Sequence, residues 1–144
     1  MGNKYQTKKK LGEGGFGIVY LVEKNNKQYA LKKIRITLNE AEKEEYNKKF
    51  KIFKKLGCEF IIQYYETYNE NNCLNIVMEF AGEKNLKQLI ANYKNRDELI
   101  EENIISDIIA QLCLGLKEIH KNRLIHRDLT PDNIFINEII IKLK

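Results

Sequence analysis

The chain predicts an α+β fold: a five-stranded antiparallel sheet carrying one helix, followed by a segment built of helices. Three observations predict it. Before residue 80, apolar residues fall in short β-branched stretches separated by asparagine-rich turns. One helical period, over residues 39–56, interrupts those stretches. After Phe80-Ala81-Gly82 the apolar spacing turns helical, which divides the chain into residues 1–80 and 81–144.

In order, residues 5–35 read as strand, turn, strand, turn, strand. Ile18-Val19-Tyr20-Leu21-Val22 is a buried-strand run, Asn25-Asn26 a hairpin turn, and Tyr29-Ala30-Leu31-Lys32 opens the next strand. From Asn39 as N-cap, the residues Tyr46, Phe50, Phe53 and Leu56 keep to one helical face. Strands over about 62–68 and 73–79 flank the turn Asn69-Glu70-Asn71-Asn72. Leu86, Leu89 and Ile90 predict a short helix. A longer helix carries the stripe Ile105, Ile108, Ile109, Leu112, Leu116 and Ile119. Left uncovered, that stripe forfeits on the order of 10 kcal/mol of burial, so it is expected to need a partner.

Composition bounds the function. The chain has 144 residues and a net charge of +5, from 25 basic and 20 acidic side chains scattered along its length. Scatter of this kind makes a solvated lysine-rich surface, and no nucleic-acid partner is expected. No apolar run reaches the ~18 residues of a membrane span, and the basic N-terminus lacks the apolar core of a signal peptide, so no membrane partner is expected either. Cys58, Cys73 and Cys113 have neither metal-ligand spacing nor an even number for pairing, and are expected as reduced, buried thiols in a cytoplasmic protein.

Two segments carry chemistry. The first is Leu11-Gly12-Glu13-Gly14-Gly15-Phe16-Gly17-Ile18-Val19. A dinucleotide-binding turn would start a helix at its last glycine, whereas a β-branched strand follows here. A glycine hairpin lets backbone N–H groups approach phosphates without side-chain obstruction. The second segment runs from Leu124 to Asn133, ahead of the apolar run Ile134-Phe135-Ile136. Asp128 and Asn133 lie five positions apart in a stretch that Pro131 keeps from being helical. An acid and an amide so placed suit phosphoryl transfer, which needs a carboxylate to orient a hydroxyl and an amide oxygen for Mg²⁺.

With His126-Arg127-Asp128-Leu129 and Asn133, the second segment resembles the catalytic loop of eukaryotic protein kinases, and the glycine hairpin resembles their phosphate-covering loop. Phe50 to Leu56, Phe60 to Glu66 and Asn133-Ile134-Phe135 are most similar to the NIMA-related serine/threonine kinases. The resemblance covers essentially the whole chain. It implies a complete kinase small lobe over 1–80, and over 81–144 the start of the large lobe through the catalytic loop.

The resemblance also implies ATP and Mg²⁺ as cofactors and a protein hydroxyl as acceptor. Lys32 would hold the α- and β-phosphates under the glycine loop, with Val19 and Ala30 against the adenine. Met78, Glu79 and Ala81 would form the back of the adenine pocket and its hinge, with Phe135 beneath the ring. Asp128 would orient the hydroxyl, Asn133 would bind metal, Arg127 would pair with a phosphorylated activation segment, and His126 would be structural.

Three departures accompany the matches. Lys49 stands where the family carries a glutamate paired to the strand lysine, with Glu45 one turn earlier as substitute. Thr130 replaces a lysine that contacts the γ-phosphate. Ile139 to Lys144 resembles the strand before the family's D-F-G, so the reading at this point is of a truncated kinase, inactive alone. A pseudokinase-like scaffold and a nonfunctional gene fragment stand as the alternatives.

Overall fold

The structure, a computed structural model, describes residues 5–15, 17–35, 40–137 and 140–144, with backbone alone for residues 40–43 and 45. Two compact units share the chain. The first comprises Met1–Lys55 and Gln63–Phe80, the second Leu56–Ile62 and Ala81–Lys144. Residues 56–62, counted with the first unit from sequence, belong to the second because their backbone is tied there. Ile62 N–H donates to Leu143 O at 2.7 Å, and Leu143 N–H donates to Phe60 O at 2.9 Å.

The first unit is an antiparallel sheet of β1 (Gln6–Gly14), β2 (Gly17–Lys24), β3 (Lys27–Arg35), β4 (Tyr64–Glu70) and β5 (Cys73–Glu79), in the order β1-β2-β3-β5-β4. Two asparagine pairs make its tight hairpins. Asn25 and Asn26 have φ of 53° and 58°, and Asn71 and Asn72 have 51° and 55°. Two-residue hairpin turns of type I′ have both central residues left-handed, and asparagine tolerates that better than most side chains. The turn expected over 69–72 thus shrinks to Asn71-Asn72, and β4 runs on through Glu70.

Register sorts the sheet's faces, since directly paired residues share a face and neighbours along a strand alternate. Val19 pairs with Lys32, Lys32 with Ile76, and Ala30 with Met78. Those five residues lie on one face. Tyr20, Val22, Leu31 and Val77 lie on the other, where Tyr5, Val22, Leu31 and Val77 form a buried cluster flanked by Tyr20, Tyr29 and Tyr68. Aromatic edges close this cluster: Tyr29 meets Tyr5 and Tyr65 at centroid distances of 5.6 and 5.4 Å.

Tyr5 hydroxyl donates to Glu66, and Lys24 Nζ stands 4.7 Å from the Tyr5 ring centroid. Burial, then the Glu66 bond, pushes the Tyr5 phenol well above its usual range, and burial also raises Tyr64, Tyr65 and Tyr68. A pKa raised by folding favours the protonated form in the folded state. The stability it carries is full below the unfolded value near 10 and is lost as pH rises beyond it. The first unit is therefore expected to lose stability above about pH 10, with a shallower alkaline limb for Tyr5→Phe, measured by urea denaturation at stepped pH.

Helix α1 (Glu40–Phe53) packs on β4, with the Phe50 and Phe53 rings 6.2 and 5.6 Å from Tyr64. It ends three residues before the expected Leu56. Lys55 N–H bonds to Ile52 O, tightening the last turn, and buried Leu56 belongs to the second unit. Asn39, the expected N-cap, lies outside the described residues.

The second unit contains α2 (Leu86–Asn95), α3 (Glu102–Lys121), a single 3₁₀ turn at Pro131–Asn133, and a hairpin of β6 (Ile134–Asn137) and β7 (Ile140–Leu143). Asn85 and Gln88 cap α2 reciprocally, each side chain accepting from the other's backbone N–H at 3.0 Å. The 3₁₀ turn corrects the expectation that Pro131 excludes helix: proline at a first helical position forfeits no needed N–H. Ile139, expected to start the last strand, lies outside the described residues, and the strand runs from Ile140.

The apolar stripe of α3 is half covered from within the chain. Ile108, Leu112 and Leu116 pack on buried Ile134, Ile141 and Leu143, and Ile119 is fully buried. Gly115 permits the approach, because a Cβ there would lie 3.0 Å from Leu143 Cδ1. Only Ile105 and Ile109, 42% and 54% exposed, remain of the surface expected to need a partner. The thiols also differ from expectation: Cys58 and Cys73 are half-buried and Cys113 is exposed, none of them paired.

Candidate functional site

In the first unit, β1 and β2 close the glycine hairpin with Gly14 paired to Gly17. Gly12, Gly14 and Gly15 have nothing within 4 Å of the place a Cβ would occupy, so their backbone is bare. Gly17 is required by geometry: its φ is +115° and a Cβ would sit 2.2 Å from Lys33 O. Leu11 is half-buried, and Phe16 lies outside the described residues. Glu13 pairs with Ile18, turning its side chain to the tyrosine face, where it forms an ion pair with Lys10 that holds the carboxyl below its usual range.

Lys32 shares a face with Val19, Ala30 and Met78, as the register shows. Lys33 points the opposite way, its Nζ 5.6 Å from the Tyr20 ring centroid. Consecutive lysines thus serve different faces. Met78 is buried between its neighbours on β3 and β4. Glu79 is locked to Gln63 twice: its N–H donates to Gln63 O at 2.8 Å, and its carboxylate accepts from Gln63 N–H at 3.1 Å. Lys49 is exposed on α1, and the Glu45 side chain lies outside the described residues.

In the second unit, the fold brings Asp128 and Asn133 together. Asn133 Nδ2 donates to Asp128 Oδ2 at 2.8 Å and to Asp128 O at 3.0 Å. The 3₁₀ turn produces this contact by carrying Asn133 back over the aspartate. With its NH₂ committed there, Asn133 keeps an amide oxygen for a hard cation, and the orientation of the carboxylate is fixed. Asp128 N–H donates to His126 Nδ1 at 3.3 Å, tying the histidine to the backbone of the loop. Arg127 is exposed, with φ of 65°, a left-handed residue at the corner of the loop.

Ala81 is buried at the start of the second unit. Phe135 is half-buried in β6, facing Lys142 and bridged to Asn85. Lys144 joins the loop without any signal in sequence. Its N–H donates to Asn133 O at 3.1 Å, and burial lowers its ammonium pKa while the Asp128 charge opposes the shift. Lys87 reaches Asp132 at 3.2 Å, tying α2 to the same turn. Among the described residues there is no cluster of three or more His, Cys, Asp or Glu that could hold a metal.

The family model of the protein kinase domain matches residues 5–144. Mouse serine/threonine-protein kinase Nek1 is 33% identical over 138 residues, covering 94% of this chain and 11% of that protein. Human Nek11 is 30% identical over 146 residues, covering 97% of the chain and 23% of that protein. Mouse Nek3 is 31% identical over 136 residues, with 93% and 26% covered. The chain therefore spans roughly a tenth to a quarter of the length of these relatives. Such membership implies, in general, ATP, a divalent metal and a protein substrate. The chain belongs to the protein kinase family and is similar to NIMA-related serine/threonine members of it.

Proposed function

We propose that this chain supplies the ATP-gripping small lobe and the catalytic loop of a serine/threonine protein kinase. The observation that carries the reading is the 2.8 Å bond from Asn133 Nδ2 to Asp128 Oδ2. It holds a carboxylate in one orientation, as a group that must align an attacking hydroxyl requires. Asp128 is the residue that orients the serine or threonine hydroxyl of the protein substrate. Asn133, through its remaining oxygen, is the ligand for Mg²⁺, which would neutralise phosphate charge when bound. In the first unit, Lys32 holds phosphate oxygens, and the bare glycines over the hairpin offer their N–H groups to the same ligand. Leu11, Val19, Ala30, Met78, Glu79, Ala81 and Phe135 are the adenine contacts in this reading. Three unpaired cysteines accord with a reducing cytoplasm as its compartment.

A nucleotide-binding scaffold without transfer activity is the second reading, and Thr130 favours it, standing where a γ-phosphate lysine belongs. Thermal unfolding with ATP, with and without Mg²⁺, tests the first step that both readings share. Both nucleotide conditions are expected to raise the Tm, with an Mg²⁺-dependent increment that Asn133→Ala removes. No shift with either would defeat both readings and leave a nonfunctional fragment. Radiolabelled phosphate transfer to a protein substrate, abolished by Asp128→Asn, separates the kinase from the scaffold.

A further inference from the structure

A carboxylate that aligns a hydroxyl for attack on ATP meets an electrostatic difficulty. The attacked phosphorus must come close to that hydroxyl, and its oxygens are negative like Asp128 itself. Like charges at that range repel, so the site needs a cation on the same side. Thr130 in the loop is neutral, and Lys87 nearby is engaged by Asp132 at 3.2 Å.

The β6–β7 hairpin delivers such a cation. Ile134, Ile141 and Leu143 pack towards α3, and the register pairs Ile134 with Leu143 and Phe135 with Lys142. One rung beyond, Lys144 N–H donates to Asn133 O at 3.1 Å. Alternation along the strands therefore puts Lys144 on the face away from α3, together with Asn133, Phe135 and Lys142. Asn133 is also the residue whose Nδ2 donates to Asp128 Oδ2, so a single amide residue links Lys144 to the carboxylate. The Lys144 side chain is half-buried and forms no ion pair among the described residues. Burial strips its ammonium of part of its hydration, and the charge of Asp128 offsets that only in part. A cation held in this way gains from a further anion.

We propose that the Lys144 ammonium grips the terminal phosphates of ATP beside Asp128, as a further substrate-contacting residue of the site. The inference rests on the kinase reading given above and deepens it. Lys144 supplies from the end of β7 the charge that Thr130 does not supply from the loop. A lysine serves here as a point charge on a flexible stem, which can reach phosphate oxygens without any change in the backbone bond to Asn133.

Equilibrium titration of the full chain with ATP, ADP and AMP tests it. Lys144→Met keeps an apolar stem and removes the charge. It is expected to weaken ATP binding about tenfold or more and AMP binding by less than about twofold, because the lost contact is to phosphates that AMP lacks. Lys144→Arg keeps the charge and should recover most of the affinity. Added salt should narrow the gap between wild type and Lys144→Met. Equal losses for ATP and AMP would reveal a packing role, and unchanged ATP affinity would put Lys144 outside the site; either result overturns the proposal. If Lys32→Ala weakens ATP binding while Lys144→Met does not, the nucleotide reading stands and Lys144 alone is excluded. A wild type that binds no nucleotide defeats both.

Discussion

Gly17→Ala is expected to unfold much of the first unit, with a loss of about 2–6 kcal/mol. Its φ of +115° is a conformation that a residue with a Cβ holds only at a cost of ~1–3 kcal/mol. The new Cβ would also lie 2.2 Å from Lys33 O, an overlap with main chain rather than with a flexible side chain. That carbonyl cannot retreat freely, because Ile18 and Lys33 are paired partners in the β2–β3 ladder. Overpacking adds ~1–3 kcal/mol. Gly12→Ala and Gly14→Ala meet open space, so each is expected to change stability by less than about 1 kcal/mol. Urea denaturation of the three variants checks the contrast, and equal stabilities would show that the Gly17 geometry is wrong.

Leu143→Ala is expected to cost about 3–4 kcal/mol in the second unit. Leu143 is buried with Ile134 and Ile141, and its Cδ1 fills the gap that Gly115 leaves on α3. Its main chain bonds to Phe60 and Ile62 persist in the variant, so the loss reports side-chain burial alone. Ile105→Ala, by contrast, should cost only about 1 kcal/mol, since Ile105 is already 42% exposed and has less burial to lose. Comparable losses at both positions would mean that the exposed strip of α3 is in fact covered.

Signals in the sequence are legible where the structural determinant is local. Asn25-Asn26 and the asparagine-rich stretch 69–72 mark hairpins because left-handed turns depend on the residues in the turn itself, although the second turn narrows to Asn71-Asn72. The short apolar runs of β2, β3 and β5 and the helical spacing of α3 were equally legible. Pairings between distant segments were not. The attachment of residues 56–62 to β7 depends on backbone bonds at Phe60 and Ile62, which no side-chain pattern announces. For the same reason the stripe of α3 looked wholly uncovered from sequence, although β6 and β7 cover half of it.

The candidate site divides along the same line. Asp128 and Asn133 were recognisable from their spacing, while the 3₁₀ turn that joins them was hidden behind a proline normally read as a helix breaker. No motif marks Lys144, because its nearness to Asp128 follows from the register of β7. Lys32 could be singled out from Lys33 only by strand alternation, and that distinction is the most exposed to test.

Nucleotide affinity of Lys32→Ala measured beside Lys33→Ala tests the ATP-binding account most directly. The two residues are adjacent, carry the same charge and differ in the sheet face they serve. A phosphate-gripping ammonium makes charge-assisted hydrogen bonds worth ~1.5–3 kcal/mol, so Lys32→Ala should weaken ATP binding about tenfold to a hundredfold. Lys33→Ala, on the tyrosine face, should stay within about twofold, the scale expected of a distant screened charge. Equal losses from the two substitutions, or no loss from Lys32→Ala, would contradict the assignment of that face to ATP.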